Sequence, residues 1–132
     1  GMDMALMVID HNSYQMEFAG AQNSLYMLRD GDLQVVRPNK VPVGIYKMHE
    51  TFTRHDFQLQ PGDKLYIFSD GFPDQFGGEK GKKFRYKAFR RLIQDIHGNP
   101  FAEQHRLIAN TFDEWKGPHE QVDDVLVLGI EV

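Results

Sequence analysis

Two apolar runs, each bounded at one end by aspartate, constrain the fold of this chain more than any other feature. Lys64-Leu65-Tyr66-Ile67-Phe68-Ser69 runs into Asp70-Gly71, and Gln121-Val122 leads into Asp123-Asp124 and then Val125-Leu126-Val127-Leu128. Each reads as a buried strand with carboxylates at one end, where oxygen ligands for a hard cation can converge. The two segments lie far apart in sequence, so only the fold can bring them together. Between them the pattern is helical. Phe84, Ala88, Phe89, Leu92, Ile93 and Ile96 recur at three- and four-residue spacing as one apolar stripe, and Phe101, Ile108, Phe112 and Trp115 continue a second. Gly98 is placed to stop the first helix, Asn99-Pro100 to cap and begin the next, and Gly117-Pro118 to end it.

Before the first aspartate the chain reads as β structure. Ala5 to Ile9 is a short apolar run ended by the turn-prone Asp10-His11-Asn12-Ser13. Tyr14 to Ala19 alternates as a half-buried strand should. Leu25-Tyr26-Met27-Leu28 and Leu33-Gln34-Val35-Val36 flank Asp30-Gly31, a pair that can supply the positive φ angles of a tight antiparallel hairpin. Phe52 to Leu59 is a further strand, closed by Pro61-Gly62-Asp63. Strands, then a helix pair, then one closing strand predict an α+β fold of antiparallel sheet layers flanked by the helix pair.

With 132 residues, 41% of them apolar, the chain can bury one modest core, so a single domain over residues 1–132 is expected. No apolar run nears membrane-spanning length and no basic-plus-apolar leader is present, which predicts a soluble segment without membrane contact. The absence of cysteine removes disulfides, zinc–thiolate sites and cysteine nucleophiles, and fits a cytoplasmic protein. A net charge of −4 gives no global attraction to nucleic acid or anionic lipid. The local exception is Lys80, Lys82, Lys83, Arg85, Lys87, Arg90 and Arg91, where a solvated loop and helix face is the preferred reading over a phosphate-steering patch.

Each aspartate motif is weak alone. An Asp-Gly at a strand end is more often a turn than a ligand, and acidic residues before a strand are commonly solvated. Together, in this order and with a helix pair between them, they are specific. His49-Glu50-Thr51-Phe52-Thr53 starts like a zinc-protease helix but lacks the second histidine, and the six histidines show no metal-ligand spacing. The glycine-rich Phe76-Gly77-Gly78-Glu79-Lys80-Gly81-Lys82 is not a phosphate-binding P-loop, because no Gly-Lys-Ser/Thr opens a helix there. Tyr66, Phe68 and Trp115 are most simply core residues.

These motifs resemble the C-terminal part of SpoIIE-type bacterial serine/threonine phosphatases, within the metal-dependent protein phosphatase 2C superfamily. The resemblance covers nearly the whole chain. It rests on Phe18-Ala19-Gly20-Ala21-Gln22-Asn23, Val41-Pro42-Val43-Gly44, Leu59-Gln60-Pro61-Gly62-Asp63, Ser69-Asp70-Gly71 and Gln121-Val122-Asp123-Asp124-Val125. Phe72-Pro73-Asp74-Gln75-Phe76-Gly77-Gly78 is similar to the version in phosphatases fused to two-component sensors. The resemblance implies a partial αββα sandwich in which Asp70 and Asp123 are metal ligands. Asp124 would orient its neighbour, and Ser69 and Gly71 would shape the strand end. Leu126 stands where a threonine is common, at a position where the backbone strand matters most.

The implied chemistry is hydrolysis of phosphoserine or phosphothreonine by two Mn²⁺ or Mg²⁺ ions that activate a bridging water. The family's upstream Asp-Cys-Thr-Gly-His-Gly-like segment, which carries the carboxylate bridging both metals, has no counterpart here. The chain therefore reads as the C-terminal portion of the domain, with little activity and weak or partial metal binding expected of it alone. By analogy with the family, the glycine-rich run would be a mobile flap beside Asp70, with Lys80, Lys82 and Lys83 meeting a phosphoprotein. The implied substrate is a phosphorylated regulatory protein such as an anti-sigma-factor antagonist, with sensor or signalling domains upstream in the gene. Two rivals are a phosphoprotein- or partner-binding module without turnover, and a subunit completed by another chain. Apolar strand faces and an unpaired edge left by a missing half predict self-association.

Overall fold

A computed structural model of the chain describes residues 1–44 and 51–132. Its elements are β1 (Met4–Ile9), β2 (Gln15–Ala21), β3 (Leu25–Arg29), β4 (Asp32–Val36), β5 (His55–Gln58), β6 (Lys64–Phe68), β7 (Phe76–Gly77), β8 (Lys82–Lys83), α1 (Tyr86–Ile96), α2 (Phe101–Lys116) and β9 (Val127–Glu131). The fold class is α+β, with a three-stranded sheet β1-β2-β5, a four-stranded sheet β4-β3-β6-β9, and the small hairpin β7-β8. The registered pairs β1/β2, β2/β5, β3/β6 and β7/β8 are all antiparallel. Two compact units emerge: residues 1–30, 34–68 and 128–132 form one, and residues 31–33 and 69–127 the other. No helix among the described residues is long and apolar enough to cross a membrane.

In the first unit, period-two alternation builds the core. Met16 and Phe18 of β2, Leu25 and Met27 of β3, Val36 of β4, Leu59 and Leu65 form one buried cluster. Ala5, Met7 and Ile9 pack against it, which leaves the alternate residues Met4, Leu6 and Val8 of edge strand β1 exposed. The β1–β2 turn is built by Asp10, whose carboxylate accepts the Asn12 and Ser13 N–H groups at 2.8 and 3.2 Å. Asp30 and Gly31 both adopt positive φ, 52° and 80°, as a two-residue hairpin turn requires.

Several strand limits differ from the sequence reading. The strand expected over Phe52 to Leu59 is confined to β5, and β2 extends to Ala21 where β1 still pairs with it. The closing segment is not a buried strand: β9 begins only at Val127, and Leu126 and Leu128 are 63% and 46% exposed. Its outermost place in the four-stranded sheet explains this, since an edge strand has a neighbour on one side only. The His49-Glu50 part of the zinc-protease-like start lies outside the described residues, and Thr51-Phe52-Thr53 forms no regular element.

The second unit is organised by aromatic rings. Phe72 is fully buried and sits 5.1 Å, centroid to centroid, from each of Phe84, Phe89 and Phe112. Of the predicted stripe, helix α1 buries Phe89, Ile93 and Ile96, with Ala88 and Leu92 half-buried and Phe84 lying before the helix begins. It ends at His97, and the buried Gln104 of α2 donates its amide to the His97 and Asn99 carbonyls at 3.1 and 2.8 Å. That side chain satisfies acceptors that a helix end otherwise leaves orphaned. Gly117 closes α2 at φ 50°, with its N–H on the Asp113 carbonyl.

One ion pair anchors the first unit. Asp63, at 2% exposure, accepts from Arg29 Nε and Nη2 at 2.9 and 2.7 Å and from the Gln60 N–H at 2.8 Å. Burial opposes the charged carboxylate, but the Arg29 fork and the Gln60 N–H outweigh it and hold the Asp63 pKa below its usual value. A carboxyl depressed in the folded state contributes stability above its unfolded pKa and loses that contribution as pH falls through the folded pKa. Because the Arg29 side chain left behind is 35% exposed and stays hydrated, Asp63→Asn should lower unfolding stability by about 1–2 kcal/mol near neutral pH. Urea titrations at stepped pH should show the gap between wild type and variant closing in acid; a gap independent of pH would contradict this role.

Candidate functional site

The candidate site lies within the second unit, where the turn after β6 meets the segment before β9. Ser69 joins them. Its backbone N–H donates to the Leu126 carbonyl at 3.0 Å. Its hydroxyl donates to the Asp124 carbonyl and accepts the Leu126 N–H, both at 3.0 Å. A serine can do this because one Oγ is both donor and acceptor. Leu126 therefore contributes its backbone, while its side chain points to solvent. Gly71 follows at the closest approach: a methyl group there would run into the Asp124 carbonyl, so the contact requires glycine.

This clamp sets Asp70 beside the Asp123-Asp124 segment. Asp70 is half-buried, whereas Asp123 and Asp124 are exposed. The Asp70 carbonyl accepts the Asp74 N–H at 2.9 Å, which curls the chain into a turn immediately after the strand. Asp123 receives the Asp124 N–H on its carboxylate at 2.8 Å, and its carbonyl accepts the Gln121 amide at 3.0 Å. Asp124 thus fixes its neighbour's carboxylate through its own backbone.

The two aspartate segments offer carboxylate and carbonyl oxygens, the ligand type that suits Mn²⁺ or Mg²⁺. Among the described residues, however, no group of three or more His, Cys, Asp or Glu side chains converges to hold a metal ion. Asp70 and Asp123, expected as metal ligands, are therefore not joined by a third such side chain among the described residues.

Lys80, Lys82 and Lys83 stand on or beside the β7–β8 hairpin, all exposed. The run expected as a mobile flap forms a paired hairpin that contacts α2. The Gly78 N–H donates to the Trp115 carbonyl at 3.0 Å, and Trp115 Nε1 donates to the Gln75 carbonyl at 2.8 Å. Side chains on Gly77 or Gly78 would collide with Trp115, so two glycines let the hairpin lie flat against it.

Gln75 is the residue that the sequence reading did not single out. It is 1% exposed, and its amide donates to the Phe76 and Glu120 carbonyls, each at 2.9 Å. Its own carbonyl also accepts the Phe84 N–H at 3.0 Å. One side chain and one peptide thus tie the Asp70 turn, the hairpin, the end of α2 and the approach to Asp123. A lone glutamine in an aromatic, glycine-rich run carries no sequence signal for such a role.

Comparison with known proteins bears on the family and the fold. The family model described as Stage II sporulation protein E (SpoIIE) matches residues 1–132. No curated protein matches the chain. Among solved structures, the SiaA-PP2C domain of Pseudomonas aeruginosa is similar at 32% identity and TM-score 0.88, over 98% of this chain and 51% of that one. The PP2C phosphatase domain with a regulatory fragment of SpoIIE from Bacillus subtilis aligns at 19% identity and TM-score 0.76, over 98% of this chain and 37% of that one. The catalytic domain of the serine/threonine phosphatase PstP, in complex with two manganese ions, aligns at 16% identity and TM-score 0.59, over 96% of this chain and 56% of that one. The last two likenesses are of fold. The chain spans about half the length, or less, of the structures it matches.

Proposed function

We propose a function on the premise that this chain belongs to the Stage II sporulation protein E (SpoIIE) family of the PP2C-type phosphatases. It is the C-terminal part of a metal-dependent phosphoserine/phosphothreonine protein phosphatase, acting in bacterial signalling on a phosphorylated regulatory protein. The observation that carries this reading is the Ser69 clamp, which holds the Asp70 turn against Asp123-Asp124. Solvation of an ordinary sheet edge does not require a serine that bridges two backbone groups of a distant segment.

In this reading Asp70 and Asp123 supply oxygen ligands to Mn²⁺ or Mg²⁺, which when bound lowers the pKa of water and neutralises phosphate charge. Ser69, Gly71 and Gln75 act on position: they set the separation of the two aspartate segments before any ligand arrives, so that little reorganisation accompanies binding. Asp124 holds the Asp123 carboxylate in one orientation. With only part of a shell, the chain alone should turn over little or nothing. The partner-binding alternative is supported by that same incompleteness among the described residues.

Hydrolysis of p-nitrophenyl phosphate with Mn²⁺ separates these readings, comparing this chain with a form extended by the half that its relatives carry. The phosphatase reading expects activity in the extended form alone, lost in Asp70→Asn. Silence in both forms would favour a module that binds without turnover.

Self-association is part of the same proposal. Edge strand β1 exposes Met4, Leu6 and Val8 in a row, and no charge or proline blunts the strand between Asp3 and Asp10. Light scattering should show mass rising with concentration, and Leu6→Lys should suppress the rise. A monomer at all concentrations would count against it.

A further inference from the structure

Charge in this chain is segregated. The 13 residues Glu79 to Arg91 hold 7 of the 15 cationic side chains and one carboxylate, a net of +6. The other 119 residues hold 8 cations against 18 carboxylates, a net of −10. The basic stretch comprises the tip of the hairpin, its return strand β8, the Phe84-Arg85 link and the first half of α1. Lys80, Lys82, Lys83, Arg85, Lys87 and Arg91 are exposed, and Arg90 is half-buried. Helix α1 turns Phe89, Ile93 and Ile96 to the core, which leaves Lys87 and Arg91, one turn apart, on the outward side.

The fold makes little use of these cations. Among the described residues, the one ion pair that any of them makes is Lys83 with Asp74, at 3.5 Å and open to solvent on both sides. The first turn of α1 holds no acidic residue and no side-chain cap, so the helix N-terminus adds to the repulsion instead of offsetting it. Two exposed aromatic rings share the area: Phe76, with the Lys83 ammonium 5.9 Å from its centroid, and Tyr86. Arginine with exposed tyrosine and phenylalanine is the composition of a protein contact surface more than of a solvated face. The platform is also pre-organised. Trp115 and Gln75 pin the hairpin, the Phe84 and Trp115 rings meet at 5.6 Å, and Arg85 donates its N–H to the Pro73 carbonyl at 2.7 Å.

We propose that this face, centred on Lys83, Arg85, Lys87 and Arg91, docks an acidic segment of a partner protein. A short acidic segment senses only the patch, whereas a long polyanion or an anionic membrane also meets the surrounding net negative charge. The contacts to Pro73 and Asp74 set the face beside the turn that begins at Asp70. Its place in substrate delivery rests on the phosphatase reading; its binding does not.

Fluorescence anisotropy of this chain with a labelled peptide of about a dozen Asp, Glu and Ser residues tests it. Binding should weaken as salt is raised. The double variant Lys87→Glu/Arg91→Glu should lose about tenfold or more in affinity, and the milder Arg91→Gln should lose less while keeping the wild-type circular dichroism. Asp70→Asn should bind the peptide as wild type does, so that a failed phosphatase reading leaves this result intact. Several outcomes would overturn the proposal: no salt-dependent binding, affinity indifferent to charge reversal, or tighter binding of phosphatidylserine vesicles or single-stranded DNA. So would self-association in wild type that the double variant abolishes, since the acidic partner would then be a second copy of the chain.

Discussion

A single hydroxyl, that of Ser69, joins two parts of the sequence more than fifty positions apart. It donates to the Asp124 carbonyl and accepts the Leu126 N–H, while the Ser69 N–H takes the Leu126 carbonyl. Each neutral hydrogen bond of this kind contributes about 1 kcal/mol net. Their importance is geometric. Three bonds from one residue fix both the separation and the register of two aspartate segments, and Gly71 is then obligatory because the Asp124 carbonyl occupies the space of its absent side chain. Change the serine and two of these three bonds are lost, leaving the backbone bond to Leu126 and the Gln75 tie to Glu120 to hold the segments.

Around this clamp the second unit is braced by groups that satisfy one another's backbones. Gln75 and Gln104 are both buried polar side chains, and both donate to carbonyls at element ends. Buried amides left without partners would cost stability; paired in this way they fix the course of loops that sequence propensity leaves open. Among the described residues no buried side-chain nitrogen or oxygen lacks a partner.

The sequence reveals those parts of the fold that periodicity controls. The alternation read over residues 14–19, the Asp30-Gly31 turn and the helical stripe around Phe89, Ile93 and Ile96 each follow from local chemistry, and the structure forms all three with ends shifted: β2 runs from Gln15 to Ala21, and α1 begins after Phe84. Pairings between distant residues were not legible. Nothing marks Asp63 as the buried partner of Arg29, since an aspartate after Pro-Gly reads simply as a turn residue. The exposure of Leu126 and Leu128 was also hidden, because an apolar run looks the same on an edge strand as at the centre of a sheet. At the site, aspartate motifs pointed to Asp70 and Asp123, but the means of joining them lay in backbone bonds that no motif encodes. The hairpin escaped for a related reason: its two-residue strands are shorter than any alternating pattern, and Trp115 holds them from outside.

The central claim is that Asp70 and Asp123 share one cation site that this chain only partly completes. Paramagnetic Mn²⁺ titrated into the isotope-labelled chain tests it most directly, because amide broadening detects weak occupancy. Resonances of residues 69–72 and 122–126 should broaden together at the same Mn²⁺ concentration, and both sets should recover in Asp70→Asn. Broadening of one segment without the other, or of both unaffected by Asp70→Asn, would contradict the account.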